Sequence, residues 1–263
     1  MKRWLLLGCV APVLLGRAHP CPPEDCTSTR SVADQKSNAS LSGSALEEFT
    51  RLLAEAQKTY TLVNDYVSTI VVQERIEGEL RPREVGLFKF RKPFSVYIKW
   101  REGQQTGMQV LYVRDQNNGK LLARKPGLLG LVTFRLDPTS KLALADNRHP
   151  ITEAGIGFLL DVVESNRKRA VAEGRARVRR LDDNPRMQPR GPRYELLVEA
   201  DEKAGYYCRR ARVTVDPITH LLIAAQVFDW DNQLIEDYRF LGLQLNVGLT
   251  DRAFDPKNPN YGF

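Results

Sequence analysis

The sequence predicts an α+β protein: a strongly curved antiparallel β-sheet, an incomplete barrel, with amphipathic helices packed on its concave face. Three observations carry this prediction. Short runs with two-residue alternation recur about every 8 to 12 residues between turn signals, as in an antiparallel meander. Two segments instead repeat apolar residues at helical spacing. One predicted sheet face is rich in aromatic side chains, and such a face has to be covered by helices or by a bound molecule.

The aromatic face is clearest in residues 86–100, GLFKFRKPFSVYIKW. They read as two strands joined by a turn at Arg91-Lys92-Pro93. Phe94, Val96, Ile98 and Trp100 follow at two-residue spacing, which places them on one face of the second strand. The cover of this face is either the protein's own helices or a bound apolar molecule, and the sequence leaves that choice open.

The N-terminus has the pattern of a secretory signal peptide over residues 1–18. Lys2 and Arg3 precede an apolar run that ends before Gly16-Arg17-Ala18, a small-residue cleavage site. The expected location is the periplasm or cell envelope of a bacterium, and lipid anchoring through Cys9 is the alternative. Cleavage leaves 36 basic against 32 acidic residues, a net charge of +4. An exported and only mildly basic chain is not expected to bind nucleic acid.

Residues 19–43 are polar and Pro-rich near their start, which predicts a flexible leader. The mature chain keeps Cys21, Cys26 and Cys208, an odd number whose pairing stays open. The three histidines lie far apart in sequence, so neither a metal nor another cofactor is expected.

Order is expected over residues 44–263, as one domain. Ser44 and Glu47 have capping-box spacing at the start of a helix over residues 44–60. A second helix follows His149-Pro150, with Thr152 or Glu153 at its start, and ends near residues 165–169. Strands are predicted over residues 66–77, 85–91, 94–101, 108–115, 120–125, 175–181, 194–200, 206–215, 221–230 and 233–245.

Three blocks carry a family resemblance: residues 86–100 with GMQVLY at 107–112, DNRHPITEAGI at 146–156, and NVGLTDRAFDP at 246–256. With the order of helix, meander, helix and returning strands, the chain resembles the LolA and LolB group of lipoprotein carriers. Within that group it is most similar to a secreted bacterial family of unknown function. The resemblance implies an apolar half-barrel, lidded by helices, that holds acyl chains. It also implies that Arg91 contacts the lid, although Lys92 is inserted between it and Pro93.

The residues predicted to bind an apolar ligand are those of the aromatic face and of the late strands. They are Phe88, Phe90, Phe94, Val96, Ile98, Trp100, Tyr112, Phe228, Trp230 and Phe240. Arg175, Arg177 and Arg179 alternate along one predicted strand and form a candidate patch for an anionic partner, or else a solvated outer face.

The sequence contains no nucleophile elbow, phosphate-binding glycine loop or HExxH helix, so no catalytic residue is assigned. We expect a non-enzymatic, monomeric carrier or sensor that binds lipid or lipoprotein acyl chains, with peripheral membrane contact. One alternative is a scaffold or envelope-stress sensor that binds another envelope protein and has a filled core. A hydrolase that uses the loop around His149 is a third. A dry cavity above roughly 300 Å³ between sheet and helices would favour ligand binding.

Overall fold

One antiparallel sheet supports the whole protein. The structure, a computed structural model, describes residues 32–127, 132–182 and 186–263, with side chains from residue 43 onward. Within that part of the chain the strands are β1 (Asp65–Ile76), β2 (Glu79–Leu80), β3 (Glu84–Arg91), β4 (Ser95–Glu102), β5 (Gln109–Val113), β6 (Leu121–Arg124), β7 (Thr133–Leu136), β8 (Ala176–Leu181), β9 (Arg193–Val198), β10 (Arg210–Val215), β11 (Leu222–Phe228) and β12 (Leu234–Leu245). The helices are α1 (Val32–Thr61) and α2 (Ile156–Ala172).

The strand order is β7-β6-β5-β4-β3-β1-β12-β11-β10-β9-β8, with β2 paired to β1. β1 pairs with β12, which joins the first meander to the second. The edge strands β7 and β8 belong to opposite ends of this order, so the curved sheet is open. This confirms the predicted incomplete barrel. All ten predicted strands are present, and the short strands β2 and β7 are additional.

The concave face of the sheet packs against both helices. Phe49, Leu53 and Ala56 of α1 and Ile156 and Leu160 of α2 are buried in one cluster with the sheet. The sheet side of that cluster includes Tyr66, Ile70, Phe88, Phe90, Val96, Ile98, Trp100, Leu196, Val213, Leu222, Ala225 and Phe240. The aromatic face of residues 86–100 is therefore covered, in large part, by the protein's own helices.

Helix α1 begins at Val32, whereas the sequence predicts a start at Ser44 after a flexible leader. Residues 32–41 contain neither Pro nor Gly, and several of them are good helix formers. Their polarity argues against burial but does not prevent helix formation. A helix extends readily from a turn that packing has already fixed. Among the α1 side chains that the structure describes, from residue 43 onward, Ala45 is the first that is buried. The predicted signal peptide, Cys9, Cys21 and Cys26 lie outside the described residues.

Helix α2 begins at Ile156, so the predicted start at Thr152 or Glu153 is wrong. Ile151–Glu153 instead form a short 3-10 turn. Gly155, with φ +109°, precedes the helix, and the Ile156 N–H donates to the Tyr66 hydroxyl at 2.9 Å. The sheet thus fixes the helix start, and it does so through a contact that local sequence does not reveal.

The C-terminal segment, residues 246–263, covers part of the opposite, convex face. Tyr97, Leu111, Leu122 and Phe254 form a second buried cluster, and Tyr261 and Phe263 pack against it. The Tyr97 and Tyr261 rings stack with centroids 3.9 Å apart. Strand alternation explains the division, because Tyr97 points away from the helices while Val96 and Ile98 point towards them.

Gly155 has little room for a side chain. A Cβ atom there would lie 2.5 Å from the Tyr66 hydroxyl oxygen, whereas one at Gly174, also at positive φ, would meet nothing within 4 Å. We expect Gly155→Ala to lower the free energy of unfolding by about 3 kcal/mol, from backbone strain and the lost Tyr66 contact. Gly174→Ala should cost about 1 kcal/mol, from its positive φ alone. Urea unfolding measures both, and equal losses would contradict this account of the helix start.

Candidate functional site

A cavity of about 380 Å³ lies between the sheet and α2. Its walls come from both meanders, from α2 and from the 137–155 loop that precedes α2. Most of the lining is apolar: Ile70, Val72, Phe88, Ile98, Trp100, Met108, Val110, Leu121, Ala123, Phe134, Leu136, Leu142, Ile151, Phe158, Leu159, Val162, Val163, Leu196, Val198, Ala211, Ala225, Val227 and Phe240. The cavity is therefore suited in size and chemistry to an apolar ligand.

Small residues explain why the helices leave this space open. Ala123, Ala211 and Ala225 line the cavity from three different strands. Large side chains fill the neighbouring region, where Tyr66 stacks on Phe90 with ring centroids 5.0 Å apart. The concave face thus has a filled part, packed against helix residues, and a hollow part that lies between the sheet, α2 and the 137–155 loop.

A buried polar cluster forms one part of the cavity wall. Glu74 of β1 and Glu236 of β12 are 5% and 3% exposed, and they are direct partners across the two strands. The Tyr238 hydroxyl donates a hydrogen bond to Glu74, and the Tyr207 hydroxyl donates one to Glu236. Two carboxylates facing each other inside a sheet repel, so this pair requires compensating donors and positive charge.

Arg148 and His149 supply that compensation from the 137–155 loop. The Arg148 N–H donates to Glu74 at 3.0 Å, and its guanidinium donates to Glu236 at 2.8 Å. His149 Nε2 lies 3.2 Å from Glu236 Oε1, and its Nδ1 lies 2.8 Å from Glu153 Oε2. These bonds attach the loop to the centre of the sheet at the β1–β12 junction.

The ionisation of the cluster follows from burial and pairing. Burial opposes the charge on His149, but the hydrogen bonds and charge of Glu236 and Glu153 outweigh it and raise the His149 pKa to about 9. Burial likewise opposes ionisation of Glu236, yet His149, Tyr207 and Arg148 hold its pKa below the ordinary value. Burial raises the pKa of Glu74. At neutral pH the cluster therefore holds a His149 imidazolium next to a Glu236 carboxylate.

This geometry does not favour His149 as a general base or Cys208 as a nucleophile. A His149 that is protonated at neutral pH, with both ring nitrogens bonded to carboxylates, is a poor general base. Cys208 also lines the cavity, but burial and nearby Glu236 raise the pKa of its thiol to about 12, so the nucleophilic thiolate is scarce.

The predicted ligand-binding residues fall into three groups. Phe88, Ile98, Trp100 and Phe240 line the cavity. Phe90, Phe94, Val96 and Tyr112 face the same side of the sheet but pack among other side chains; Phe94, for example, contacts the Phe90 and Tyr112 rings edge-on. Phe228 and Trp230 are the third group.

Neither Phe228 nor Trp230 lies in the cavity wall. The Arg210 guanidinium stacks over the Phe228 ring at 4.2 Å, on the convex face, because alternation along β11 turns Val227 inward and Phe228 outward. Trp230 lies just beyond β11, where its indole N–H donates to the Ala200 carbonyl at 2.8 Å. The expected ligand contacts of these two residues are corrected accordingly.

The predicted lid contact of Arg91 is also corrected. Arg91 lies on the convex face, where it donates to the Leu249 carbonyl and to Asp251, and its guanidinium lies 5.1 Å from the Phe254 ring. The inserted Lys92 contacts the helix instead: its Nζ donates to the Tyr60 carbonyl at 2.6 Å and lies over the Tyr60 ring. Because side chains alternate along a strand, a shift of one residue along the chain moves the contact to the other face of the sheet.

Arg175, Arg177 and Arg179 are each paired with a carboxylate. Arg177 contacts Glu199 at 3.0 Å and Arg179 contacts Glu195 at 2.7 Å, while Arg175 lies 3.5 Å from Glu173. All three remain partly exposed. Their role as a patch for an anionic partner stays a prediction, and the pairing reduces the net charge that such a patch offers.

The buried glutamates are the part of the site that sequence reasoning missed. The signal was present: Glu74 continues the Ile70, Val72 alternation of β1, and Glu236 precedes Tyr238 and Phe240 on the same face of β12. A charged residue at an inward position of each strand predicts a buried polar site.

The fold and the cavity together define a class of protein: an open antiparallel half-barrel with an apolar cavity between its sheet and its second helix. The chain belongs to the family described as Protein of unknown function (DUF1571), whose model matches residues 63–263. No curated protein matches the sequence.

Solved structures similar to this chain have low sequence identity. The Mycobacterium tuberculosis lipoprotein LppX is 12% identical, over 78% of this chain and 99% of that one, with a TM-score of 0.45. A LolA superfamily protein from Nitrosomonas europaea is 9% identical, over 78% and 96%, with a TM-score of 0.33. A chain of the Pseudomonas aeruginosa MucA/MucB complex is 12% identical, over 81% and 60%, with a TM-score of 0.44. The match of residues 63–263 to a family of unknown function agrees with the resemblance drawn from sequence.

Because the pKa of His149 is raised in the folded protein, its contribution to the free energy of unfolding should depend on pH. A group whose pKa is higher in the folded state, here about 9 against an ordinary 6.5, adds stability that is complete below pH 6.5 and is lost as pH rises through 9. We expect His149→Gln to lower the free energy of unfolding by about 3 kcal/mol at pH 6 and by much less at pH 10. Urea unfolding of both proteins at the two pH values measures this, and a pH-independent difference would contradict it.

Proposed function

We propose that this protein is a non-enzymatic carrier or sensor that holds an acyl chain, or a similar apolar moiety, in the cavity between sheet and helices. The observation that carries the proposal is the cavity itself, about 380 Å³ with a predominantly apolar wall. This volume lies within the range of small-molecule sites, roughly 300 to 1,000 Å³. A scaffold with a filled core would not need it.

The arrangement of the wall supports a ligand over a packing defect. Interiors are close-packed, and a void of hundreds of Å³ in an apolar core costs stability. Here the hollow is bounded by alanines on three strands and by an exposed apolar residue, Leu142, at 64% exposure in the 137–155 loop. Exposed apolar area beside an apolar hollow is the surface that an acyl chain would cover.

The polar cluster supports binding over catalysis. Its ionisable groups are already paired with one another, and its histidine is protonated at neutral pH. We accordingly propose that Arg148 and His149 keep the loop in place at the cavity wall and have no chemical step to perform.

We further propose, from the N-terminal signal pattern, that the protein acts in the bacterial cell envelope, where a carrier would shield acyl chains from water. Among the described helices none is both long and apolar enough to cross a membrane.

The proposal predicts that filling the cavity from α2 blocks binding. Val162 lines the cavity, whereas Val171, on the same helix, is 40% exposed and does not. In Val162→Phe the added ring should occupy ligand space and weaken binding of palmitate by about tenfold, a change of about 1.4 kcal/mol. Val171→Phe should leave binding unchanged.

The measurement is titration of delipidated protein with palmitate, followed by native mass spectrometry and calorimetry. Circular dichroism shows whether both variants fold. A wild-type protein that retains only its apo mass at every palmitate concentration would overturn the proposal, as would equal affinity in the two variants.

A further inference from the structure

A second cavity adjoins the apolar one. Its volume is about 180 Å³, and it shares Val72, Glu74, Trp100, Gln105, Met108, Lys125, Asp146 and Asn147 with the larger cavity. Its own contribution includes Arg81, Glu84, Gln104 and Thr106, so this wall is far more polar. The two cavities are neighbours with eight lining residues in common, and the larger is mainly apolar while the smaller is more polar.

Sheet topology places the polar chamber at one end of the half-barrel. In an antiparallel meander the end of one strand lies beside the start of the next. The end of β1, the start of β3 and the end of β4 therefore lie at the same end of the sheet, and each contributes to the chamber. Met108, just before β5, and Lys125, just after β6, add to the wall from the same end. The polar groups come from the strand ends and their turns, while the strand interiors supply the apolar walls.

Two of the three carboxylates that line the chamber already accept hydrogen bonds from the protein. Glu84 is buried, and its two oxygens accept the backbone N–H groups of Gln104 and Gln105 at 2.8 and 3.0 Å. Glu74 accepts from the Tyr238 hydroxyl and from the Arg148 N–H. Asp146 is exposed at the rim.

The two basic side chains that line the chamber, Arg81 and Lys125, have fewer partners in the protein. The Arg81 Nε is buried and has no hydrogen-bond partner. Within the described residues its guanidinium forms one ion pair shorter than 4 Å, at 3.3 Å to Glu79, which is itself largely exposed. Lys125 lines both cavities and forms no hydrogen bond or ion pair within residues 32–127, 132–182 and 186–263. The Arg81 side chain is 38% exposed, but its Nε–H is buried without a partner, and Arg81 lines the same chamber as the exposed Lys125. Two cationic groups in one chamber wall, one of them with an unused N–H donor, are suited to bind an oxyanion.

We propose that this chamber binds the acidic headgroup, a phosphate or a carboxylate, of an amphiphile whose acyl chain occupies the larger cavity, with Arg81 and Lys125 as its counter-charges. The inference rests on the proposed function and makes it more specific: the ligand is a single amphiphile with an anionic end. Arg81 offers the forked donors that suit a phosphate or carboxylate, and Lys125, which lines both cavities, adds a point charge.

The test compares three probes with the same chain: palmitate, palmitoyl lysophosphatidate and monopalmitoylglycerol. Dissociation constants are measured by calorimetry on delipidated wild-type protein, on Arg81→Gln/Lys125→Gln and on a matched control. The control, Lys203→Gln/Lys257→Gln, removes the same charge from exposed lysines that line neither cavity.

We expect the wild type to prefer the two acidic probes over monopalmitoylglycerol, and whichever acidic probe binds more tightly identifies the source of the anionic group. Arg81→Gln/Lys125→Gln should weaken binding of the acidic probes by about tenfold or more and change monopalmitoylglycerol by less than about twofold. The control variant should change none of the three.

Equal affinity of the wild type for all three probes, or an equal loss for the neutral and acidic probes in Arg81→Gln/Lys125→Gln, would overturn the headgroup inference and leave the acyl-chain carrier standing. Failure of the wild type to bind any of the three would overturn both. Thermal unfolding followed by circular dichroism separates a loss of binding from a loss of fold.

Discussion

The structure depends on one constraint: the concave face of a large, curved apolar sheet must be removed from water, and two helices cover only part of it. Burial of apolar area is the main force that stabilises such a fold, at roughly 25 cal/mol per Å². Where α1 and α2 lie over Tyr66, Phe88 and Val96, the face is filled by the chain itself. Where Ala123, Ala211 and Ala225 replace large residues, the face stays hollow. The site is thus a consequence of how the sheet is covered.

The same junction that closes the sheet also anchors the site. Pairing of β1 with β12 places Glu74 directly opposite Glu236, an arrangement that is unfavourable without positive charge nearby. Arg148 and His149 provide that charge from the loop before α2, so the loop, the helix start and the cavity wall are held by one cluster. Its cost in desolvation is offset by the hydrogen bonds that link Glu74 and Glu236 to Arg148, His149 and two tyrosine hydroxyls, a pattern that rigidifies a region of the fold.

Much of this could be predicted from the sequence, because period-two and period-3.6 patterns report directly on strands and helices. The aromatic face, the ten main strands and the position of both helices along the chain followed from that periodicity. The start of α2 could not be predicted from periodicity, since Ile156 is fixed by the distant Tyr66. The sheet face on which Phe228 and Arg91 lie could not be predicted either, because a shift of one residue decides which face a side chain occupies. The cavity volume depends on how far helices sit from a sheet, which no local pattern encodes.

The most direct measurement is one that locates a bound acyl chain on the protein. Nuclear Overhauser effects can be measured between protonated palmitate and labelled alanine methyl groups of otherwise deuterated protein. An acyl chain in the cavity should show contacts to Ala211 and Ala225, which line it, and none to Ala224, which alternation places on the opposite face of β11. Contacts confined to Ala224 and other convex-face methyl groups, or none at all, would contradict binding in the cavity.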